Sequence, residues 1–155
     1  MRLILFFLII IAFPANAYFK VIDGDSLEID DKKIRLQGID SPEYNQTCFD
    51  ANHIEYDCGL EASNFLKSKI KKGKKQGKEL KCNKIDIDKY NRELSVCYIG
   101  KTNLNRLMVK SGHAVAYFSD KYKKLENKAK KHKKGMWQGK FMRPELYRIL
   151  EKHQN

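Results

Sequence analysis

Two carboxylate-bearing turns and one arginine mark the stretch from Val21 to Glu43, VIDGDSLEIDDKKIRLQGIDSPE. Asp25 lies in the turn Asp23-Gly24-Asp25. Asp40 and Glu43 lie in Asp40-Ser41-Pro42-Glu43, and Arg35 stands between the two turns. Acids beside an arginine are a poor way to build a core. They are a good way to hold a hard cation next to a phosphate, because hard cations take oxygen ligands and arginine forks onto phosphate oxygens. Taken one at a time, the turns also fit a plainer reading: two acidic surface turns, with Arg35 in a cross-strand ion pair.

The elements between the turns must bring them together. Val21, Leu27, Ile29, Ile34, Leu36 and Ile39 are apolar with partly alternating spacing, and Asp30-Asp31-Lys32-Lys33 is a polar turn in their midst. A hairpin there returns the chain to its start. That would gather Asp25, Arg35, Asp40 and Glu43 at one end of a small sheet.

The first seventeen residues stand apart. Met1-Arg2 gives a positive start, Leu3 to Phe13 is an unbroken apolar run, and Ala15-Asn16-Ala17 is a small-x-small cleavage pattern. This reads as a secretory signal peptide cleaved near Ala17, which predicts an exported protein, periplasmic or extracellular. Residues 18–155 then form one domain. Formal charge is +12, and Arg2 alone of the charged residues falls in the leader, so the mature chain carries +11. A domain this basic expects an anionic partner.

Cys48, Cys58, Cys82 and Cys97 all follow the leader. Export favours disulfides over metal sites, and no C-x-x-C pair is present. Four cysteines allow three pairings. Cys48 and Cys58 bracket a polar loop, while Cys82 and Cys97 are equidistant from a turn at Lys89-Tyr90. The expected bridges are Cys48–Cys58 and Cys82–Cys97.

Along the rest of the chain, Tyr44 to Gly59 reads as a loop. Leu60 to Ile70 carries a helical stripe, and the lysine-glycine run Lys71 to Lys78 reads as a solvated loop. Glu79 to Ile99 is a second hairpin. Leu104 to Ser111 is a short helix stopped by Gly112, and Ala114 to Phe118 is strand or buried turn. Lys121 to Lys134 is a basic helix ending at Gly135, Met136 and Trp137 pack beneath the sheet, and Pro144 opens a last helix with Leu146, Ile149 and Leu150 on one side.

In order, the fragments V-I-D-G-D-S, I-R-L-x-G-I-D-S-P-E, D-K-Y-N-R, L-N-R-L-M-V-x-S-G-x-A and Y-x-x-L-E-x-x-A-x-x-x-x-x-G-M-W resemble the thermonuclease (staphylococcal nuclease-like) family over Val21 to Trp137. The resemblance implies an α+β fold, an OB-fold five-stranded β-barrel with three helices, to which this chain adds a short C-terminal helix. It implies a Ca²⁺-dependent endonuclease that acts on DNA and RNA, leaves 3′-phosphate ends, works as a monomer and needs no stable protein partner. The family's metal-binding acids fall on Asp25 and Asp40, with the Ser41 carbonyl as a further ligand. Its phosphate-binding arginines fall on Arg35 and Arg92 and its catalytic glutamate on Glu43. Its nucleotide-contacting residues fall on Lys89 and Tyr90, and on Tyr117. Asn91 stands where the family usually has glycine, and Ser26 and Ser41 where threonine is common.

Two other functions compete. An OB-fold module can bind single strands by charge and stacking without cutting them, and a cationic exported protein can bind membranes or glycans. Neither needs clustered acids beside an arginine. The leader reading carries its own test: N-terminal sequencing of the exported protein is expected to start at Tyr18, and a start at Met1 would contradict it.

Overall fold

The structure, a computed structural model, describes residues 18–118 and 120–154. The leader expected over residues 1–17 lies outside the described residues. Strands β1 (Phe19–Val21), β2 (Ser26–Ile29) and β3 (Lys32–Leu36) form an antiparallel meander with Val21 opposite Leu27 and Ser26 opposite Arg35. The turn between β2 and β3 is shorter than the sequence suggests. Asp30 and Asp31 both take positive φ, 47° and 65°. Two such residues suffice for a tight hairpin whose twist matches the strands. Lys32 and Lys33 therefore join the ladder opposite Ile29 and Glu28.

A two-residue strand β4 (Ile39–Asp40) follows, then a small hairpin of β5 (Cys48–Phe49) and β6 (Glu55–Tyr56) inside the stretch expected to be loop. Helix α1 (Cys58–Lys75) leads to a long hairpin of β7 (Leu80–Ile87) and β8 (Glu93–Ile99), with β9 (Thr102–Asn103) beside β8. Helix α2 (Leu104–Ser111) is capped by the Asn103 side chain, which accepts from the Arg106 amide, and ends at Gly112 as expected. Strand β10 (Val115–Ala116) pairs with β4, placing Val115 opposite Asp40. Helix α3 (Lys123–Lys131) and helix α4 (Pro144–Gln154) complete the chain.

The main sheet runs β1-β2-β3-β8-β7, with β3 and β8 parallel and their neighbours antiparallel. Among the described residues the architecture is α+β with four α-helices, the last of them the expected C-terminal addition. The described strand pairs trace an open path, and the ring closure of a five-stranded barrel is not among them.

Other local expectations shift as well. The run Lys71 to Lys78 is not a loop at its start: α1 continues through Lys75. Gly73 is buried, and a Cβ there would collide with the Ile99 side chain, so this glycine allows the helix to lie on β8 rather than breaking it. The lysines on either side, Lys71 and Lys72, and Lys74 and Lys75, take the outer or partly covered face. The helix stops at Gln76, with Gly77 at φ +72°. Lys121 to Lys134 likewise shortens, because a 3₁₀ turn occupies Asp120–Tyr122 and His132 caps α3. On α4 the apolar trio is only half covered, with Leu146, Ile149 and Leu150 exposed by 53%, 47% and 47%.

The core lies between the sheet and the helices, with Leu36, Leu66, Ile70, Leu104, Met108 and Val109 fully enclosed. A smaller cluster of Cys48, Cys58, Val115 and Met136 sits under Trp137. Both expected disulfides are present, Cys48–Cys58 and Cys82–Cys97, the second joining directly paired residues of β7 and β8.

Replacing Cys48 and Cys58 together by serine is expected to lower unfolding stability by about 2–4 kcal/mol in urea titrations, chiefly by freeing the unfolded chain. Non-reducing peptide mapping that returned any other pairing would contradict this arrangement.

Candidate functional site

The two acidic turns meet because Gly24 has no side chain. A Cβ at Gly24 would overlap the Ser41 hydroxyl and press on Ala62 of α1. With hydrogen there, the Ser41 amide donates to Asp25 Oδ2 at 3.0 Å, and the Ser41 hydroxyl donates to the His113 carbonyl at 2.9 Å. The turn is shaped from within as well: the Asp25 amide donates to Asp23 Oδ1 at 2.9 Å, and the Ser26 hydroxyl to Asp25 Oδ1 at 2.8 Å.

Asp25 and Asp40 are enclosed, with side-chain exposures of 3% and 0%. Two neighbouring carboxylates without water repel each other and lose hydration, so they need a cation. Arg35, one strand residue along from Ile34 on β3, supplies it. Its Nη2 donates to Asp40 Oδ1 at 2.7 Å and lies 3.1 Å from Asp25 Oδ2. Burial works against the Arg35 charge, but Asp25 and Asp40 outweigh it and hold the guanidinium above its ordinary pKa. Asp40 is pushed above the usual carboxylate range by burial, and the hydrogen bond from Arg148 pulls the other way.

Arg148 was not legible in advance. It reaches in from α4, with Nη1 donating to Asp40 Oδ1 at 2.9 Å and to Glu43 Oε1 at 2.7 Å, and Nη2 donating to Asp40 Oδ2 at 3.0 Å. Only an arginine among the half-covered leucines and isoleucine of α4 hints at it in the sequence. Asp23 was also passed over. Its carboxyl is pushed up to about 7, first by burial and then by the charge of Asp25.

Glu43 stands at the rim, its side chain 32% exposed. Its loop is clamped by Gln46, which is fully buried. The Gln46 amide donates to the Glu43 carbonyl at 2.8 Å, and the Gln46 side chain donates to the Met142 carbonyl at 2.7 Å. The start of α1 abuts the same loop: a Cβ on Gly59 would strike the Glu43 and Tyr44 carbonyls. The Cys48–Cys58 bridge fastens that junction, so the cysteine loop is part of what positions Glu43.

The structure thus brings together Asp25, Arg35, Asp40, Ser41 and Glu43. It does not bring Arg92 onto them. Arg92 follows the β7–β8 turn, where Asn91 takes φ 60°, and its Nε donates to Asp88 Oδ2 at 2.7 Å. Lys89 and Tyr90 occupy the same turn, with the Lys89 ammonium 5.1 Å and the Arg92 guanidinium 5.4 Å from the Tyr90 ring centroid. Tyr90 is 61% exposed, a flat ring offered to solvent. Tyr117 lies near the acids: its phenol is raised by burial and by the charges of Glu145 and Asp40. Its ring packs on that of Phe118 at 4.2 Å. Among the described residues, no group of three or more His, Cys, Asp or Glu side chains is placed to hold a metal ion.

The sequence profile of the Staphylococcal nuclease homologue family matches residues 33–139. The chain is 34% identical over 119 residues to a thermonuclease of Staphylococcus intermedius, covering 72% of this chain and 67% of that protein. It is 30% identical over 129 residues to the succinoglycan biosynthesis protein ExoI of Rhizobium meliloti (strain 1021), covering 80% of this chain and 65% of that protein. A third relative is the probable endonuclease LCL3 of Komagataella phaffii, 31% identical over 118 residues, of which the match spans 48%.

The raised Asp23 carboxyl predicts a pH effect with a definite sign. Between the unfolded value of 3.8 and the folded value of about 7, the folded chain keeps a proton that the unfolded chain has lost. Raising pH through that window therefore favours unfolding. Urea unfolding in chelator is expected to show this contribution to the loss of stability between acid and neutral pH. Asp23→Asn, which keeps the oxygen that accepts from the Asp25 amide, is expected to remove it; an unchanged slope would refute the assignment.

Proposed function

Because this chain belongs to the family of staphylococcal nuclease homologues, we propose that it is an exported, Ca²⁺-dependent endonuclease that hydrolyses phosphodiester bonds of DNA and RNA to leave 3′-phosphate ends. The observation that carries this reading is the enclosed pair Asp25 and Asp40, bridged by Arg35, with Glu43 at the open rim.

The donor set suits a hard cation. Two buried carboxylates and the Ser41 carbonyl offer oxygen only, and water and phosphate oxygens would complete the six to eight ligands that Ca²⁺ takes. Asp25, Asp40 and the Ser41 carbonyl would hold the cation, which would supply Lewis acidity toward a non-bridging phosphate oxygen. Arg35 forks onto the phosphate and binds the five-coordinate transition state more tightly than the ground state. Arg92 adds a second guanidinium once it leaves Asp88. Glu43 orients a water and takes its proton as the new P–O bond forms. The P–O5′ bond breaks, and the departing 5′ oxygen is protonated from solvent. Lys89, Tyr90 and Tyr117 hold the flanking nucleotides by charge and stacking. The two disulfides are compatible with an oxidising compartment outside the cytoplasm.

A binding module without catalysis accounts for the charge of +12 but not for the buried acid pair, whose repulsion a mere binder of anions has no use for. Plasmid and RNA incubated with the protein, in Ca²⁺ or in chelator, separate the two. Arg35→Lys keeps the charge and loses the planar fork, so single-turnover cleavage is expected to fall roughly 10³–10⁵-fold, the range for arginines in phosphoryl transfer. Nucleic-acid affinity at fixed salt should change little, because the lysines still track the backbone. Asp25→Asn should weaken Ca²⁺ binding in calorimetry. Wild-type protein that binds nucleic acid and cuts nothing in Ca²⁺ would leave the binding module as the answer.

A further inference from the structure

Arg148 belongs to neither the acidic turns nor the β7–β8 turn, yet it makes three hydrogen bonds inside the cluster. It joins both oxygens of Asp40 to one oxygen of Glu43. We propose that Arg148 is a positioning residue for phosphodiester hydrolysis, fixing Glu43 relative to Asp40 from the C-terminal helix; this rests on the nuclease reading above.

The delivery of Arg148 is built rather than incidental. The chain entering α4 is stitched to the elements that carry both of its partners. Phe49 and Lys140 exchange backbone hydrogen bonds at 2.8 and 3.1 Å, beside the Cys48–Cys58 bridge. The Met142 carbonyl accepts from Gln46, whose amide is bonded to the Glu43 carbonyl. Arg143 donates to Glu126 at 3.3 Å and to the carbonyl of Ala116 at 3.4 Å, and Ala116 lies in β10, the partner of the strand that holds Asp40. One end of this segment is thus tied to the Glu43 loop and the other to the Asp40 strand. The helix itself gains little from burial, since Leu146, Ile149 and Leu150 stay about half exposed. Beyond the buried Pro144 at its start, what α4 brings to the acidic cluster is the guanidinium.

Charge gives that guanidinium a purpose. Asp25, Asp40 and Glu43 carry three negative charges against the positive charges of Arg35 and Arg148. A divalent cation turns that set net positive by one, the complement of a phosphodiester. Without Arg148 the loaded site would be neutral, and Glu43, about a third exposed, would lose the side chain that ties it to Asp40. A carboxylate that must aim a water is sensitive to small displacements, and a shift of about 1 Å can cost on the order of 10²-fold in rate.

The test uses the full exported chain. Arg148→Ala is expected to fold with both disulfides, to bind Ca²⁺ in calorimetry no more weakly than wild type, and to lose about 10²-fold in kcat with KM for nucleic acid little changed. Millimolar guanidinium chloride should restore part of the lost turnover in Arg148→Ala and none in wild type, a response that a merely unfolded helix would not give. Arg148→Gln keeps the length and carries the same test if the alanine variant fails to fold. Wild-type turnover in a folded variant overturns the proposal. So does tighter Ca²⁺ binding with faster cleavage at limiting Ca²⁺, which would make Arg148 a tethered competitor for the metal's oxygens. Absence of cleavage in wild type itself would instead remove the nuclease reading on which the proposal rests.

Discussion

Two neighbouring carboxylates with almost no exposed surface dominate this protein. Asp40 is fully enclosed and Asp25 nearly so. Taking a charged pair of like sign out of water is strongly unfavourable unless cations and hydrogen bonds compensate. Arg35 reaches one oxygen of each acid, the Ser41 amide shares Asp25 Oδ2 with it, the Ser26 hydroxyl donates to Asp25 Oδ1, and Arg148 donates to Asp40 Oδ2. An arrangement of this kind seldom adds net stability over an apolar core. Its persistence in the middle of a small domain points to work done by the charges themselves.

The surrounding structure can be understood as the means of holding that pair. The short Asp30-Asp31 turn sets the register that puts Ser26 opposite Arg35, so the base of one acidic turn and the arginine share a ladder. Gly24 lets the second acidic turn close over the first. Strand β10 pins Asp40 from the other side, and the carbonyl just before that strand region, on His113, fixes Ser41. The lesser cluster of Cys48, Cys58, Val115 and Met136 reaches Asp40 through Val115, its strand partner, and anchors the loop from which Glu43 projects.

What could be foreseen from the sequence divides by range. The hairpins, the stop at Gly112 and the facing of Cys82 and Cys97 all depend on neighbours a few residues away or symmetric about a turn. Side-chain type and spacing carry that information. Gly73 misled because a glycine between lysines usually marks a loop, whereas here it answers a contact with Ile99, which lies on another element. Asp25, Asp40 and Glu43 came into view through their motif, and Arg35 through the hairpin. Arg148 did not, because it stands 108 residues from Asp40 and 105 from Glu43, on a helix whose own pattern suggested a buried apolar face. The raised Asp23 carboxyl was hidden for a related reason: burial is a property of the assembled turn, and in sequence Asp23 is simply one more acid.

The basic character of the chain and its acidic centre are complementary. Lysines on the outer faces of α1 and α3 and in the β7–β8 turn act at the range of the screened field, about 8–10 Å in physiological salt, and draw any polyanion regardless of sequence. Such a field binds ground state and transition state alike, so it concentrates a substrate without hastening its reaction. Acceleration has to come from groups whose hold tightens as charge shifts at phosphorus, and those must be fixed, close and poorly hydrated. On the proposed reading, Arg35 and the enclosed carboxylates of Asp25 and Asp40 are the groups that fit that description, and the exposed lysines do not.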